Sequence, residues 1–338
     1  MTERDQLIRS VGQLRDFLLA YPDEISEASA QARAANPWFI PAFTTQAIQA
    51  IITQFLDPLK WKEWLTSYAA PATAPKSVGI IMAGNLPLVG FHDLLCVLAS
   101  GHRALIKLSD KDSCLLPWLT DQWIRLFPQL SASISYTERL DGFDAVIATG
   151  SNNSARYFEY YFSKYPHILR RNRNGVAILS GKETVADLKL LAKDVFLFFG
   201  MGCRNVSKLW VPRGYDFSIW HEALADWDDL KHHNKYGHNL EYNAAIFIIN
   251  NVPHIHLGSI ILKEDESIAS RIGCLHYSYY DEPEVLYASL LQQRQDIQCV
   301  VSSSPVVGWE HVPFGQSQEP RLDQYADGVD TMAFLTDL

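Results

Sequence analysis

The chain has 338 residues, with 48% hydrophobic and 20% charged side chains and a formal net charge of −9 at pH 7. This composition is typical of a globular protein with one large α/β core or two smaller ones. The negative charge argues against a nucleic acid partner, because phosphate binding requires clustered Lys and Arg. No stretch approaches the ~18 consecutive apolar residues of a membrane span, and residues 1–6 lack the apolar core of a signal peptide.

Cysteine and histidine usage favours a reducing compartment without a structural metal. The five cysteines are widely spaced and form no Cys-x-x-Cys pair; they are Cys96, Cys114, Cys203, Cys274 and Cys299. An odd number at such spacing fits neither a disulfide framework nor a zinc site. His232, His233 and His238 also lack the spacing of metal ligands. We therefore expect a cytoplasmic protein with surface histidines and no bound metal.

The N-terminal part of the chain is predicted to be helical. Apolar residues recur at helical spacing from Leu7 to Leu18, after Thr2 as a candidate N-cap, and again from Phe43 to Leu56. Neither segment carries obvious chemistry, so we expect a scaffold or a dimer surface.

From Ser77 to about Leu179, short apolar runs alternate with amphipathic segments. The predicted strands are residues 78–82, 104–108, 144–148 and 175–179, and the predicted helices are 88–100, 115–127 and 151–164. This alternation indicates βαβ crossovers and a parallel sheet. A helix at 186–199, a strand ending at Pro212 and a strand at 297–301 predict a second α/β unit. Because ligands bind beyond the carboxyl ends of strands in such sheets, the residues there are candidates for a site.

Polar residues and glycine follow three of the predicted strands. After the first strand, Asn85 fits either an oxyanion donor or a turn-forming residue before Pro87. At the end of the second, Lys107 could hold ribose hydroxyls or a phosphate, or could simply be solvated. After the third, Gly150 and Ser151 open a helix whose N–H groups suit a phosphate, although the same residues also make an ordinary helix cap. The dinucleotide sequence Gly-x-Gly-x-x-Gly is absent.

Cys203 follows two glycines in Phe-Phe-Gly-Met-Gly-Cys-Arg-Asn, residues 198–205. An apolar run precedes this sequence and a strand-like segment at 207–212 follows it, which predicts a tight bend between a helix and a strand. A thiol at such a bend can act as a nucleophile if its pKa is lowered. The alternative is a buried and inert cysteine.

The order Asn-x-Pro, Lys-x-Ser, Thr-Gly-Ser and Gly-x-Gly-Cys resembles the aldehyde dehydrogenase superfamily, and so does the spacing. Within it the sequence is similar to acyl-CoA reductases of the LuxC type, the reductase component of bacterial fatty acid reductase, notably at residues 313–318 and 325–331. The resemblance covers about residues 77–338. It implies an α/β fold with two parallel-sheet, Rossmann-type domains, a helical N-terminal segment and an active-site crevice between the domains.

This resemblance also implies a domain organisation. Residues 1–175 would form the helical N-terminus and the nicotinamide cofactor-binding domain, and residues 176–311 the catalytic domain with Cys203. Residues 312–338 would return to the first domain or lie at a dimer interface.

The resemblance implies catalytic roles for two residues. Cys203 would be the thiolate that takes the acyl group. Asn85 would form the oxyanion hole together with the backbone N–H of Cys203.

Four further residues would hold the cofactor, which the resemblance predicts to be NADPH, or else NADH. Lys107 and Ser109 would bind the adenosine ribose. Gly150 and Ser151 would lie at the helix start beneath the pyrophosphate. Asp110 opposes the NADPH preference, because it would repel a 2′-phosphate if it points inward.

A departure from the family pattern concerns the water-activating glutamate of oxidising aldehyde dehydrogenases. Their Leu-Glu-Leu-Gly-Gly-Lys motif is matched by residues 177–182, which places Ile178 at the glutamate. Without that base, we expect the acyl-enzyme to resist hydrolysis. Glu183 lies near in sequence but is expected to point elsewhere.

The predicted function is therefore NAD(P)H-dependent reduction of an acyl-CoA, preferably a fatty acyl thioester, to the aldehyde. Alternatives are a CoA-acylating aldehyde dehydrogenase, an acyl-phosphate reductase, a cysteine acyltransferase or thioesterase without nicotinamide, and a scaffold that has lost activity. A homodimer and an acyl-activating or acyltransferase partner protein are also expected. The basic loop Arg170–Arg173 either meets the CoA phosphates or is solvated.

Overall fold

The chain, in a computed structural model that describes residues 2–150 and 152–338, divides into two compact units. One comprises the residues up to Asn172 together with Pro320–Leu338, and the other Arg173–Glu319. In the described part of the chain, none of the helices is both long and apolar enough to span a bilayer. The assignment of cofactor binding to residues 1–175 and of catalysis to 176–311 stays a prediction.

The first unit begins with helices and continues as a parallel α/β sheet. Its helices are α1 Glu3–Ala20, α2 Pro22–Ala35, α3 Pro41–Gln54, α4 Pro58–Leu65, α5 Phe91–Ala99, α6 Leu115–Leu126, α7 Asn152–Phe162 and, from the C-terminal residues, α12 Thr331–Thr336. Its strands are β1 Ser77–Ile81, β2 Arg103–Lys107, β3 Ile134–Tyr136, β4 Ala145–Thr149 and β5 His167–Arg170. Thr2 and Asp5 form a capping box at the start of α1, which satisfies two backbone N–H groups there.

The strands of the first unit lie in the order β3-β2-β1-β4-β5, and every pairing is parallel. The carboxyl ends of all five strands therefore lie at one edge of the sheet. The chain moves from β1 to β2 on one side and later to β4 on the other. This makes the β1/β4 position the topological switch point at which ligands of open α/β sheets bind.

Arg170 is the last residue of β5 and is buried, with 6% of its surface exposed. Its guanidinium pairs with Asp93 at 2.7 Å and donates to the hydroxyl of Thr331 at 2.8 Å. For this residue the expectation of a loop that is either solvated or in contact with CoA is wrong, because the ion pair joins β5 to α5 and the hydrogen bond to Thr331 joins it to α12, both inside the unit. Arg171 pairs with Glu159 at the surface.

The second unit contains the remaining elements. They are β6 Asn174–Ile178, α8 Val185–Phe196, β7 Val206–Pro212, α9 Trp220–Ala223, α10 Asn234–Ile249, β8 Ile255–His256, β9 Ile261–Glu264, β10 Cys274–Tyr280, α11 Pro283–Gln292, β11 Ile297–Ser302 and β12 His311–Val312. The strand order is β12-β11-β6-β7-β10-β9-β8. The sheet is parallel except for the antiparallel pair β8–β9. The predicted α/β architecture of two sheets with a helical N-terminal segment is confirmed, and the second sheet is mixed, whereas the prediction was a parallel one.

Candidate active site

Asn85 lies in the loop after β1 and is half-buried. The preceding Gly84 packs against the loop after β2, since a Cβ on it would come within 2.6 Å of the Ser109 hydroxyl oxygen. Only glycine permits this approach. The structure thereby brings the loop of Asn85 against that of Ser109, at the carboxyl edge of the sheet.

A buried carboxylate, Asp112, joins the same two loops. It accepts a hydrogen bond from the backbone N–H of Leu88 at 2.9 Å, and its own backbone N–H donates to the carbonyl of Ser109 at 3.0 Å. Leu88 has a left-handed backbone with φ of 58°, which costs a non-glycine residue roughly 1–2 kcal/mol. This is why the helix predicted from residue 88 begins only at Phe91.

Burial raises the pKa of Asp112. Sequence reasoning missed this residue, although an acidic side chain shortly before an apolar helix is a usual capping signal.

A groove of about 520 Å³ lies at the carboxyl ends of β2 and β3. Its lining includes Ile106, Lys107, Leu108, Ser109, Asp110, Ser113, Tyr136, Thr137 and Glu138. The ammonium of Lys107 donates to the backbone carbonyl of Glu138. Two predicted cofactor residues, Lys107 and Ser109, therefore share one groove with the acidic residues Asp110 and Glu138.

Gly150 directly follows β4, which pairs with β1 on the opposite side from that groove. A Cβ on Gly150 would come within 2.9 Å of Ser154 and 2.8 Å of Phe158, both on α7. The glycine therefore lets the helix begin directly against the strand end, as a phosphate-binding helix start requires. Ser151, the other residue predicted at this position, lies outside the described residues.

Cys203 lies in a turn between α8 and β7, as predicted, and is half-buried. Before the turn, Phe198, Phe199 and Gly200 have φ of 54°, 58° and 72°. A left-handed backbone at the two phenylalanines costs about 1–3 kcal/mol each, so surrounding contacts must hold it. The ring of Phe199 supplies one such contact, 4.5 Å from His233 between ring centroids.

The turn itself is tied to the end of α8 by Asn205, which is fully buried. Its side-chain amide donates to the carbonyls of Asp194 and Leu197, both at 2.9 Å. Its side-chain oxygen accepts the backbone N–H of Gly202 at 2.8 Å. The two ends of the segment that carries Cys203 are thus joined through one side chain.

The C-terminal residues of the second unit lie against the same turn. The buried carboxylate of Asp194 accepts the backbone N–H groups of Gly315 at 2.6 Å and Ser317 at 2.9 Å. Arg204, directly after Cys203, donates to the carbonyl of Ser317. Burial raises the pKa of Asp194 to about 6, although the backbone N–H groups oppose the shift. The segment 313–318, on which the resemblance partly rests, is therefore anchored beside Cys203.

Three of the other four cysteines are less exposed than Cys203. Cys96, Cys274 and Cys299 are buried, and Cys114 is half-buried. Burial raises the pKa of Cys299 to about 11, and its sulfur lies 3.8 Å from the carbonyl of Arg204, beneath the Cys203 turn. Burial likewise raises the pKa of Cys274 to about 11. Neutral buried thiols are poor nucleophiles.

Ile178, the residue at the position of the missing glutamate, is the last residue of β6. In the parallel pair β6–β7, Gly175 lies opposite Val206 and Ile178 opposite Trp210. The Cys203 turn enters the amino end of β7, so Ile178 lies about 10 Å further along the sheet, at its other end. Its side chain is 6% exposed, within an apolar cluster that includes Val176. That the lack of a base at residue 178 protects the acyl-enzyme from hydrolysis stays a prediction.

Glu183 uses its carboxylate within its own turn. One oxygen accepts the backbone N–H and the hydroxyl of Ser180 at 2.7 and 2.8 Å, and the other accepts the N–H of Gly181 at 3.0 Å.

In the described residues, no three His, Cys, Asp or Glu side chains are grouped to hold a metal ion. His233 accepts the N–H of Tyr236 at 3.3 Å and so caps α10.

The fold can be compared with that of known proteins. No family model matches the sequence, and no curated protein matches it either. Similar solved structures include aldehyde dehydrogenase 21 from Physcomitrella patens with the product succinate, at 11% identity and a TM-score of 0.68, over 99% of this chain and 83% of that one. An aldehyde dehydrogenase from Brucella melitensis biovar abortus has 13% identity and a TM-score of 0.66, over 89% and 73%. An aldehyde dehydrogenase of Mycobacterium tuberculosis, complexed with NAD+, has 14% identity and a TM-score of 0.62, over 89% and 73%. Both units together therefore have the fold of the aldehyde dehydrogenases.

Proposed function

We propose that the protein is a nicotinamide-dependent oxidoreductase that acts on aldehyde-level groups through Cys203, and specifically that it reduces an acyl-CoA to the aldehyde. The observation that carries this proposal is the half-buried Cys203 in a turn whose strained approach is held by Asn205. Backbone strain that surrounding contacts maintain is a feature of functional sites. The anchored segment 313–318 supports the acyl-CoA reductase assignment, because part of that resemblance lies there.

Cys203 would attack the thioester carbon as a thiolate, forming a carbon–sulfur bond while the carbonyl oxygen becomes an oxyanion. Asn85 would donate its side-chain N–H to that oxyanion. Collapse of the adduct would release CoA as a thiolate and leave an acyl-enzyme on Cys203. The bound reduced nicotinamide would supply the hydride to the acyl carbon. Cys203 would then leave as a thiolate, and the product aldehyde would be freed.

The residues at the carboxyl edge of the first sheet fit a nicotinamide dinucleotide. The groove of about 520 Å³ with Lys107 and Ser109 is suited to a ribose, and the glycine-permitted contact of Gly150 with α7 to a pyrophosphate. Two carboxylates, Asp110 and Glu138, line the groove, and the Lys107 ammonium already bonds a carbonyl. A 2′-phosphate bound in this groove would lie near two acidic residues, while the one lysine that lines it already donates to a carbonyl, so the phosphate would be repelled. We therefore propose NADH as the preferred cofactor, against the preference for NADPH that the resemblance implied. Dissociation constants of NADH and NADPH test this directly, and tighter binding of NADPH would contradict it.

The main experiment follows nicotinamide absorbance and aldehyde formation with short-, medium- and long-chain acyl-CoAs and with acyl phosphates. Wild type should reduce an acyl-CoA, while Cys203→Ala should lose the reaction but bind NADH within a few-fold of wild type. Mass spectrometry of wild type and acyl-CoA without cofactor should show the acyl group on Cys203. The matched control Cys114→Ala removes the other half-buried thiol and should stay active.

Several results would contradict the proposal. An acyl adduct on another cysteine, or activity in Cys203→Ala, would remove Cys203 from its role. Efficient conversion of an aldehyde and water to the free acid would assign the site to oxidation. Turnover of an acyl phosphate without competition by CoA would assign it to acyl-phosphate reduction, and acyl transfer without nicotinamide would exclude a redox role.

A further inference from the structure

We propose that Asn205 is the positioning residue of this site, holding the turn that presents the Cys203 sulfur; this inference rests on the proposed role of Cys203. Asn205 lies two residues after Cys203 and is fully buried, so it is placed to act on the turn from beneath and not on a substrate.

The donor side of Asn205 binds the end of the preceding helix. Its amide nitrogen lies 2.9 Å from the carbonyl oxygens of Asp194 and Leu197, which are left unsatisfied where α8 ends. The chain then takes its left-handed path through Phe198 and Phe199 towards Cys203. A capped helix end is what allows the chain to leave α8 in that direction.

The acceptor side and the backbone of Asn205 fix the turn itself. The side-chain oxygen accepts the N–H of Gly202 at 2.8 Å, and the backbone N–H of Asn205 donates to the carbonyl of Gly202 at 3.0 Å. The carbonyl of Asn205 accepts the N–H of Gly175, at the start of β6, at 2.9 Å. Cys203 therefore lies within a closed turn whose two ends are bonded to each other and to the sheet.

Only a side chain that both donates and accepts can make these bonds. Aspartate would keep an acceptor for Gly202 but place a negative oxygen against the carbonyls of Asp194 and Leu197. Alanine would leave all of these buried groups without this partner. Either change should release the turn while leaving Cys203 in the chain.

The test uses the whole 338-residue chain with Cys114→Ser, so that Cys203 is the one remaining cysteine that is not buried. Asn205→Asp and Asn205→Ala are compared by kcat and KM for acyl-CoA, by NADH affinity, by thermal midpoint, and by the pH profile of Cys203 alkylation with iodoacetamide. We expect kcat to fall about 10²-fold, as for a misplaced reacting group, and the alkylation profile to shift. KM and NADH affinity should change only a few-fold.

Asn243→Ala is the matched control for Asn205→Ala, because Asn243 is also buried in the second unit, its amide donates to the carbonyl of Ile272 at 3.0 Å and its side-chain oxygen accepts from Arg271 at 3.3 Å. It should lower the thermal midpoint without changing kcat or the alkylation profile. If the Asn205 variants behave like this control, Asn205 serves stability alone and the inference is wrong.

Two further results keep the inference separate from protein folding and from the proposed function. Should both Asn205 variants fail to fold, hydrogen exchange in wild type decides, because the Gly202 amide must be protected and fast exchange would refute the inference. Should Cys203→Ala remain active, the proposed function fails, whereas the alkylation profile still reports whether Asn205 sets the environment of the Cys203 thiol.

Discussion

Three buried side chains hold the loops that carry candidate functional residues: Asp112 in the first unit, and Asp194 and Asn205 in the second. Each bonds backbone groups of another segment, and none of them lies on the loop surface. A buried polar group without a partner costs about 1–3 kcal/mol, so these contacts select one loop conformation strongly. The positions of the few residues that would touch a substrate therefore depend on these three buried side chains, which would not touch it.

Asn85 can be tested as an oxyanion donor against its alternative role as a turn residue. Asn85→Ala should lower kcat about 10²–10³-fold with KM little changed, because the donor acts on charge that develops in the transition state. Asn85→Asp separates the two roles, since aspartate favours turns equally but cannot donate when ionised. If Asn85→Asp keeps near-full activity in the acyl-CoA assay, Asn85 is a turn residue.

At the scale of elements, strand register decides which residues of the second unit share an end of the sheet. Cys203 precedes β7, whereas Ile178 ends β6, and parallel pairing sends these two positions to opposite ends. The match of residues 177–182 to the family motif therefore does not by itself place Ile178 beside Cys203. A sequence motif does not say which residues of a neighbouring strand lie opposite it, because that register depends on how the two strands pair.

Ile178→Glu tests this conclusion. A carboxylate among the apolar neighbours of Ile178 should destabilise the second unit and raise its own pKa by burial. Hydrolysis of the acyl-enzyme should not increase, because the new group lies far from the thiol. Urea denaturation and single-turnover release of free acid measure the two effects. Faster hydrolysis with unchanged stability would place residue 178 beside Cys203 after all.

The contact between α8 and the segment 313–318 predicts a pH dependence of stability. Burial raises the pKa of Asp194 from 3.8 to about 6, so the folded protein binds this proton more tightly than the unfolded chain. The stability from this proton is present below about pH 3.8 and lost as the pH rises through about 6. A shift of this size corresponds to roughly 3 kcal/mol.

Asp194→Asn, which has no such titration, provides the comparison. Between about pH 4 and pH 7, wild type should lose up to roughly 3 kcal/mol of unfolding free energy relative to Asp194→Asn. Urea denaturation at a series of pH values measures the difference, with the surface variant Asp226→Asn as the control. If the free energy of unfolding depends on pH in the same way for wild type and Asp194→Asn, then burial does not raise the pKa of Asp194.

At the scale of the whole molecule, the C-terminal part of the chain contributes to both units. Residues up to Glu319 belong to the second unit, whereas Pro320–Leu338 belong to the first. Met332 and Leu335 of α12 are fully buried in the core of the first unit, and Thr331 accepts a hydrogen bond from Arg170. The first unit therefore depends on residues that follow the second one in sequence.

Leu335→Ala should lower the unfolding free energy of the first unit by about 2–5 kcal/mol, the range for a large-to-small change in a packed core. Asp337→Ala, two residues later and exposed, is the control and should have little effect. Urea denaturation followed by circular dichroism measures both. If the two variants unfold alike, α12 is not part of that core.

Local patterns predicted the α/β alternation and the bend that carries Cys203. These follow from periodicity and glycine content, which act between residues close in sequence. The short strands β3 and β5 and the helices α2 and α4 were missed, since brief or weakly periodic segments give little local signal. For Asn85, Lys107 and Gly150 the sequence supplied candidates with alternatives, and their catalytic and cofactor roles stay predictions.

Tertiary structure alone decided the contacts between distant segments. Asp112 reaching Leu88, Asn205 reaching Asp194 and the burial of Arg170 all depend on which backbone groups meet in space. The same holds for Ile178, whose residue type is known from sequence but whose end of the sheet is not. Hydrogen bonds and burial act over a few ångströms of space, whereas sequence patterns report only neighbours along the chain.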